Sequence, residues 1–216
     1  MGAGKGKTRR AKTNAPQPKQ ALPGKREPLE ERKNLTSALA VLPEACSRFV
    51  AENEDAFLLA PGSGSAHQFW LGGYADHVDE LCAISHTIYS ALSKLRELPF
   101  SLEDALLVLF LHDVEKIWKR LPEDTPCNPK YKAMVSDPKA LQQEIIKDYG
   151  LKLSAEQENA LKYVHGELDD YRKGERVMGP LAVFVHDCDY WSARGWHDQP
   201  LESGRLPDIF SDTVYL

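Results

Sequence analysis

The sequence predicts an all-α fold, a bundle of about five to six helices preceded by a disordered basic arm. Three observations predict it. From Leu35 onward apolar residues recur mostly at helical spacing, helix-start signals precede several of these stretches, and no convincing alternating strand pattern appears. A chain of 216 residues suffices for one well-cored domain with extensions, so a single active site is expected.

In chain order, residues 1–33 read as the arm and 34–216 as the helical domain. Residues 1–26 carry Lys5, Lys7, Arg9, Arg10, Lys12, Lys19, Lys25 and Arg26 and no acid, which leaves the rest of the chain near −13 out of a net −5. The arm has too few large apolar side chains to offset the entropy of ordering. Such a segment suits electrostatic contact with nucleic acid or another polyanion, and equally suits solubilisation. The run Gly2 to Thr8 imitates a phosphate-binding loop, but Met1 stands five positions before Gly6, where the motif requires glycine, and no strand precedes it.

Helices are predicted near 35–50, 75–97, 102–118, 138–149, 154–170 and 178–195. Ser101 with Asp104 approximates a capping box, Asp137 precedes a first-turn Pro138, and Ser154 pairs with Gln157. The four cysteines, Cys46, Cys82, Cys127 and Cys188, form no C-x-x-C pair, which fits a reducing cytoplasm and speaks against a zinc knuckle or redox dithiol. No apolar run approaches the roughly eighteen residues of a membrane span, and no secretory signal is recognisable, so no membrane partner is expected.

The strongest chemical signal is the apolar run from Leu106 to Leu111, which ends abruptly in His112-Asp113 and then Lys116. A buried helix thereby delivers two metal-capable side chains at its polar end. Adjacent helical residues point about 100° apart, so both reach one ion only at their shared edge, and further ligands must come from elsewhere. Three segments offer them: Gly72 to His77, Tyr163 to His165, and Val185 to Asp189. Imidazole with carboxylate suits zinc, manganese, cobalt, nickel or iron.

Together these segments resemble the HD-domain phosphohydrolases. The resemblance covers roughly residues 65–194 and is nearest to small phage and bacterial HD proteins and nucleotidases. It rests on His67-Gln-Phe-Trp-Leu-Gly72-Gly73-Tyr-Ala-Asp-His77, on apolar-His112-Asp113-x-x-Lys116, and on Asp189-Tyr190-Trp-Ser-Ala-Arg194. It implies an HD-domain helical bundle whose ligands are His77, His112, Asp113 and Asp189, with one divalent transition metal per chain. It also implies a phosphohydrolase acting on (deoxy)nucleotides, with His67, Trp70 and His165 at the substrate; on mechanism, Lys116 is expected to neutralise phosphoryl charge and Glu115 to accept the water's proton. Asp76 is an alternative proton acceptor to Glu115. Two departures stand out: Glu115 replaces a glycine common in relatives, and Lys116 stands where the 5′-deoxynucleotidase branch carries Glu.

On the last helix, Leu181, Phe184, Val185, Cys188 and Trp191 define a buried stripe. Asp189 flanks it beside small residues, Asp187 is the backup ligand, and His186 is expected to face solvent. His86 reads as structural, His197 as incidental, and core packing competes with substrate stacking for Trp70. Lys119, Arg120, Lys130 and Lys132 are candidates for a basic rim. The competing readings are a degenerate HD module that binds nucleotide or nucleic acid without turnover and a di-iron oxygenase.

Overall fold

The structure, a computed structural model, describes residues 28–64, 67–196 and 206–211, so the expected basic arm up to residue 27 lies outside the described residues. The remainder of the segment assigned to the arm belongs to the folded body. Residues Leu29–Glu31 form one 3₁₀ turn, and Arg32 is 4% exposed with its guanidinium 2.8 Å from Asp76 Oδ1. Every regular element among the described residues is helical. No helix among them is long and apolar enough to cross a membrane.

The expected helix over 35–50 divides into α1 (Lys33–Val41) and α2 (Glu44–Glu52), followed by a short α3 (Glu54–Leu59). Pro43 is the cause. The residue before a proline is pushed out of the helical region, and Leu42 accordingly adopts φ −74°, ψ 161°. The long α4 (Gly73–Leu95) matches its expected span closely.

The next expected helix, 102–118, ends early. It is α5 (Leu102–Leu111), then a bend at Asp113 (φ −123°, ψ 16°), then a 3₁₀ segment Val114–Trp118. The Gln142 side-chain amide donates to the carbonyls of Leu111 and His112, at 2.9 Å each, and so replaces the N–H groups of the missing helical turn. A short α6 (Pro129–Ala133), capped by Asn128, went unpredicted. It is followed by α7 (Pro138–Asp148), α8 (Ala155–Tyr163) and α9 (Pro180–Trp191). The capping boxes at Ser101 and Ser154 form as expected. α8 stops short of 170 because Gly166 turns the chain with φ 95°. α9 passes into a wider π segment, Ser192–Trp196.

α5 is buried from Ala105 to Leu111, which is why its sequence is apolar on every side. It lies between α4, α8 and α9, with α1 packed on α4 and α8 on α9. Phe49 of α2 holds one end of the core together, edge-to-face with Phe110 at 6.0 Å, Trp118 at 5.9 Å and Tyr149 at 5.1 Å. Fully burying each such side chain contributes about 1.5–3 kcal/mol.

The N-terminus of α1 is tied to α4 by Asp79, whose Oδ1 accepts from the Leu35 N–H at 2.8 Å. Asn34 joins this clasp to the far end of the chain. Its carboxamide donates to Pro207 O at 3.0 Å and accepts from the Ile209 N–H at 2.9 Å.

Candidate metal centre

Each potential ligand is delivered by a different element. His77 lies near the start of α4, where Gly72 takes φ 80°. Gly73 must lack a side chain, since a Cβ there would stand 1.9 Å from the Gln68 carbonyl oxygen. That close approach folds the preceding loop against the head of α4. His112 caps the C-terminus of α5, Asp113 occupies the bend that follows, and Asp189 lies near the end of α9.

The four side chains converge in the interior. His77 Nε2 is 3.5 Å from His112 Nε2, 3.4 Å from Asp189 Oδ1 and 4.0 Å from Asp113 Oδ2. His112 Nε2 is 3.2 Å from Asp113 Oδ2 and 3.4 Å from Asp189 Oδ1. The remaining carboxylate oxygens turn the other way, toward His165, whose Nε2 lies 3.7 Å from Asp113 Oδ1 and 3.8 Å from Asp189 Oδ2. Two overlapping sets, His77/His112/Asp113 and His112/His165/Asp189, each place their ligand atoms within 4.8 Å of one another.

The outer partners fix both imidazoles in the orientation a cation requires. His112 Nδ1–H donates to Leu109 O at 2.7 Å, which aims Nε2 inward. His77 Nδ1 lies 2.8 Å from Ser192 Oγ. The Ser192 hydroxyl donates to Glu80 Oε2 and therefore accepts from His77. Gln68 Nε2 donates to both Glu80 Oε2 at 2.8 Å and Ser192 Oγ at 3.2 Å. Partners of this kind orient metal-bound histidines and raise their basicity.

The electrostatics point the same way. Burial works against the charges of Asp113 and Asp189, yet the neighbouring imidazoles, with Lys116 beside Asp113, hold both carboxyls well below the usual range. Burial would also discharge His112, but Asp113 and Asp189 raise it to about 10, while burial lowers His77 to about 4. Two imidazole nitrogens and two carboxylate oxygens facing a common point fit a divalent cation. His77, His112, Asp113 and Asp189 could hold one.

Of the other expected site residues, Lys116 contacts Asp113 Oδ2 directly. Burial, then the charge of Asp113, pushes Glu115 up to about 7, and its Oε2 is buried without a hydrogen-bond partner. The His67 ring lies 5.1 Å from that of His77, and its Nδ1 is 2.5 Å from Gln68 Oε1. His165 has a side chain 52% exposed at the mouth of the centre.

Trp70 departs from the substrate-binding expectation. It is 6% exposed, and its indole N–H donates to Asp76 Oδ2 at 2.7 Å, so it packs in the wall. Asp76 is engaged by Trp70 on one oxygen and Arg32 on the other, which removes it as a proton acceptor. Asp187 is exposed, whereas Asp189 is 8% exposed and inside the cluster.

His86 stacks on Phe210 at 4.6 Å, away from the centre. His186 is not solvent-facing as expected; it is half-buried and donates from Nδ1 to Val164 O at 2.7 Å, closing the end of α8. Lys130 pairs with Glu144 and Asp148, and Lys132 binds Trp118 O, so the expected basic rim does not form from them. His197 lies outside the described residues. Sequence reasoning missed Ser192, Glu80, Gln68 and Gln142, because nothing local marks a polar residue that acts across 30 or 112 positions of chain.

Comparison with family models, with curated proteins and with solved structures returned no match for this chain.

Proposed function

We propose that the protein is a metal-dependent phosphohydrolase of the HD type, acting on nucleotides or deoxynucleotides. The observation that carries this reading is the convergence of His77, His112, Asp113 and Asp189, four residues that the motif resemblance singles out and that come from α4, the end of α5 and α9. Mixed imidazole and carboxylate donors suit zinc, manganese, cobalt, nickel or iron, one per chain. A divalent ion bound there supplies a hydroxide-like nucleophile near neutral pH and polarises a phosphoryl oxygen.

The chain's own residues do the rest. Glu115, raised to about 7 and lacking a partner on Oε2, is matched to accept a proton from the attacking water at physiological pH. Lys116, a quarter exposed beside Asp113, is placed to neutralise charge developing on the phosphoryl oxygens. His165 and His67 flank the centre and contribute donors toward the phosphate. Water adds to phosphorus as the phosphorus–oxygen bond to the leaving group breaks, giving phosphate or pyrophosphate and the protonated leaving group.

The test is a panel of nucleoside mono-, di- and triphosphates with each of the five metals, following phosphate and pyrophosphate release alongside metal content. Wild-type protein is expected to turn over at least one member, and His112→Ala and Asp113→Ala to lose both metal and turnover. Metal binding with silence across the panel, and nucleotide retained by both variants, would replace this reading with that of a binding module.

A further inference from the structure

Beside the metal centre, a cleft of about 830 Å³ runs between α7 and α8, within the range of small-molecule sites. Its inner end is formed by His112, Glu115 and His165, so it opens directly onto the residues assigned to the chemistry. The floor is apolar: Ile146 of α7, Leu153 of the connecting segment and Leu161 of α8 are all half-buried and line it. The Gln142 amide on the same wall already donates to the carbonyls of Leu111 and His112. Along the strip of Ile146, Leu153 and Leu161 recognition falls to apolar contact, with Gln143 as a further polar residue of the lining.

The rim carries charge that the fold does not use. Lys139 and Lys152 are exposed and make no ion pair among the described residues, whereas Lys162 is held by Asp170 at 2.7 Å. Glu158 is the acid of the outer rim, and Glu115 stands at the inner end. On the opposite side of the centre, the Gln68, Glu80 and Ser192 network backs His77. A leaving group departing from a phosphorus at the centre needs a concavity continuous with it, and this cleft is continuous with it.

We infer that the α7/α8 cleft seats the leaving group of the phosphoester and selects esters whose leaving alcohol carries a flat ring with apolar faces, an aryl alcohol or a nucleoside, over small polar alcohols. This rests on the hydrolytic reading above. The ring lies against Ile146, Leu153 and Leu161, while Lys139 and Lys152 attract the dianion as it approaches.

The probe is a pair of phosphonates, phenylphosphonate and methylphosphonate, whose carbon–phosphorus bond resists hydrolysis. Their binding to the metal-loaded full chain is measured by calorimetric titration, alongside turnover of p-nitrophenyl phosphate and glycerol phosphate. Phenylphosphonate is expected to bind at least tenfold more tightly. Leu153→Asn is expected to cut that preference at least fivefold with metal content unchanged. The surface double variant Lys139→Glu/Lys152→Glu, which disturbs no core contact, is expected to raise KM for p-nitrophenyl phosphate severalfold at constant kcat.

Equal binding of the two phosphonates, or a preference that survives Leu153→Asn together with an unmoved KM in the double variant, overturns the inference. If esters are turned over in that case, the hydrolytic reading stands alone. If the preference is present and sensitive to Leu153→Asn but no ester is turned over, the cleft stands as a ring-binding site and the hydrolytic reading falls.

Discussion

The Nδ1–H of His77 donates to the Oγ of Ser192 across 2.8 Å, joining the head of α4 to the π segment that follows α9. Because the Ser192 hydroxyl donates its own hydrogen bond to Glu80, the pair holds His77 in the tautomer whose Nε2 faces the ligand cluster. Ser192→Ala is therefore expected to weaken metal affinity about 10–100-fold while leaving the helical fold intact. Chelator competition measures it, and an affinity equal to wild type would remove Ser192 from the account.

Metal removal should register as stability. A ligand that binds only the folded state at about a hundred times its Kd adds about 2.7 kcal/mol, which for a chain of this size raises Tm by about 5–10 °C. Scanning calorimetry with and without a chelator is expected to read that difference in wild type and none in Asp189→Asn. A metal-induced rise of equal size in the variant would place the ion elsewhere.

Glu80 gives the pH dependence its sign. Burial is the largest influence on its carboxyl and moves it from the ordinary 4.5 up to about 7. A group raised on folding takes up a proton as the chain folds, so its contribution is fully present below about pH 4.5 and is lost as pH rises through 7. In metal-free protein the change attributable to this residue is about 2 kcal/mol between pH 5 and 8. Denaturant titrations at the two values are expected to show that decline in wild type and a much smaller one in Glu80→Gln. Parallel declines in both proteins would count against it.

Gly73→Ala is expected to cost about 3 kcal/mol, because the new methyl would collide with the backbone carbonyl of Gln68, which has no rotamer in which to escape. The same shift would move the start of α4, so metal content should fall with stability. A loss under about 1 kcal/mol would mean that the loop yields more readily than its contacts suggest.

The parts of the site legible in the sequence are those where chemistry and burial change together. The apolar run of α5 stops dead at His112-Asp113, and such a change in polarity is visible without knowing any contact. Asp189 over Asp187 was also readable, since the period of α9 places one against the core and the other in solvent. Breaks were harder. Helical spacing runs smoothly through Pro43 although the proline forbids the turn before it, and the end of α5 is set by Gln142, 30 residues away.

At Trp70 the sequence left two readings open, core packing and substrate stacking. Its neighbourhood suggested a ligand contact, but an indole N–H finds the carboxylate six residues on and the ring is drawn into the wall. Lys139 and Lys152, which make no ion pair among the described residues, and the paired Lys130 are indistinguishable by composition. Which acids stand opposite is decided by how α6 and α7 meet, and periodicity does not report that.

Asn34 reads the backbone of residues 207 and 209 with both ends of one carboxamide, 173 or more positions along the chain, while its neighbour Leu35 hangs from Asp79 on the helix that bears His77. The two extremities of the folded body are thus buckled together beside the ligand-bearing helix. A proteolytic nick ahead of Pro207 would unfasten that buckle, and slackening of α1 would reach the candidate metal centre without any of its four ligand residues having changed.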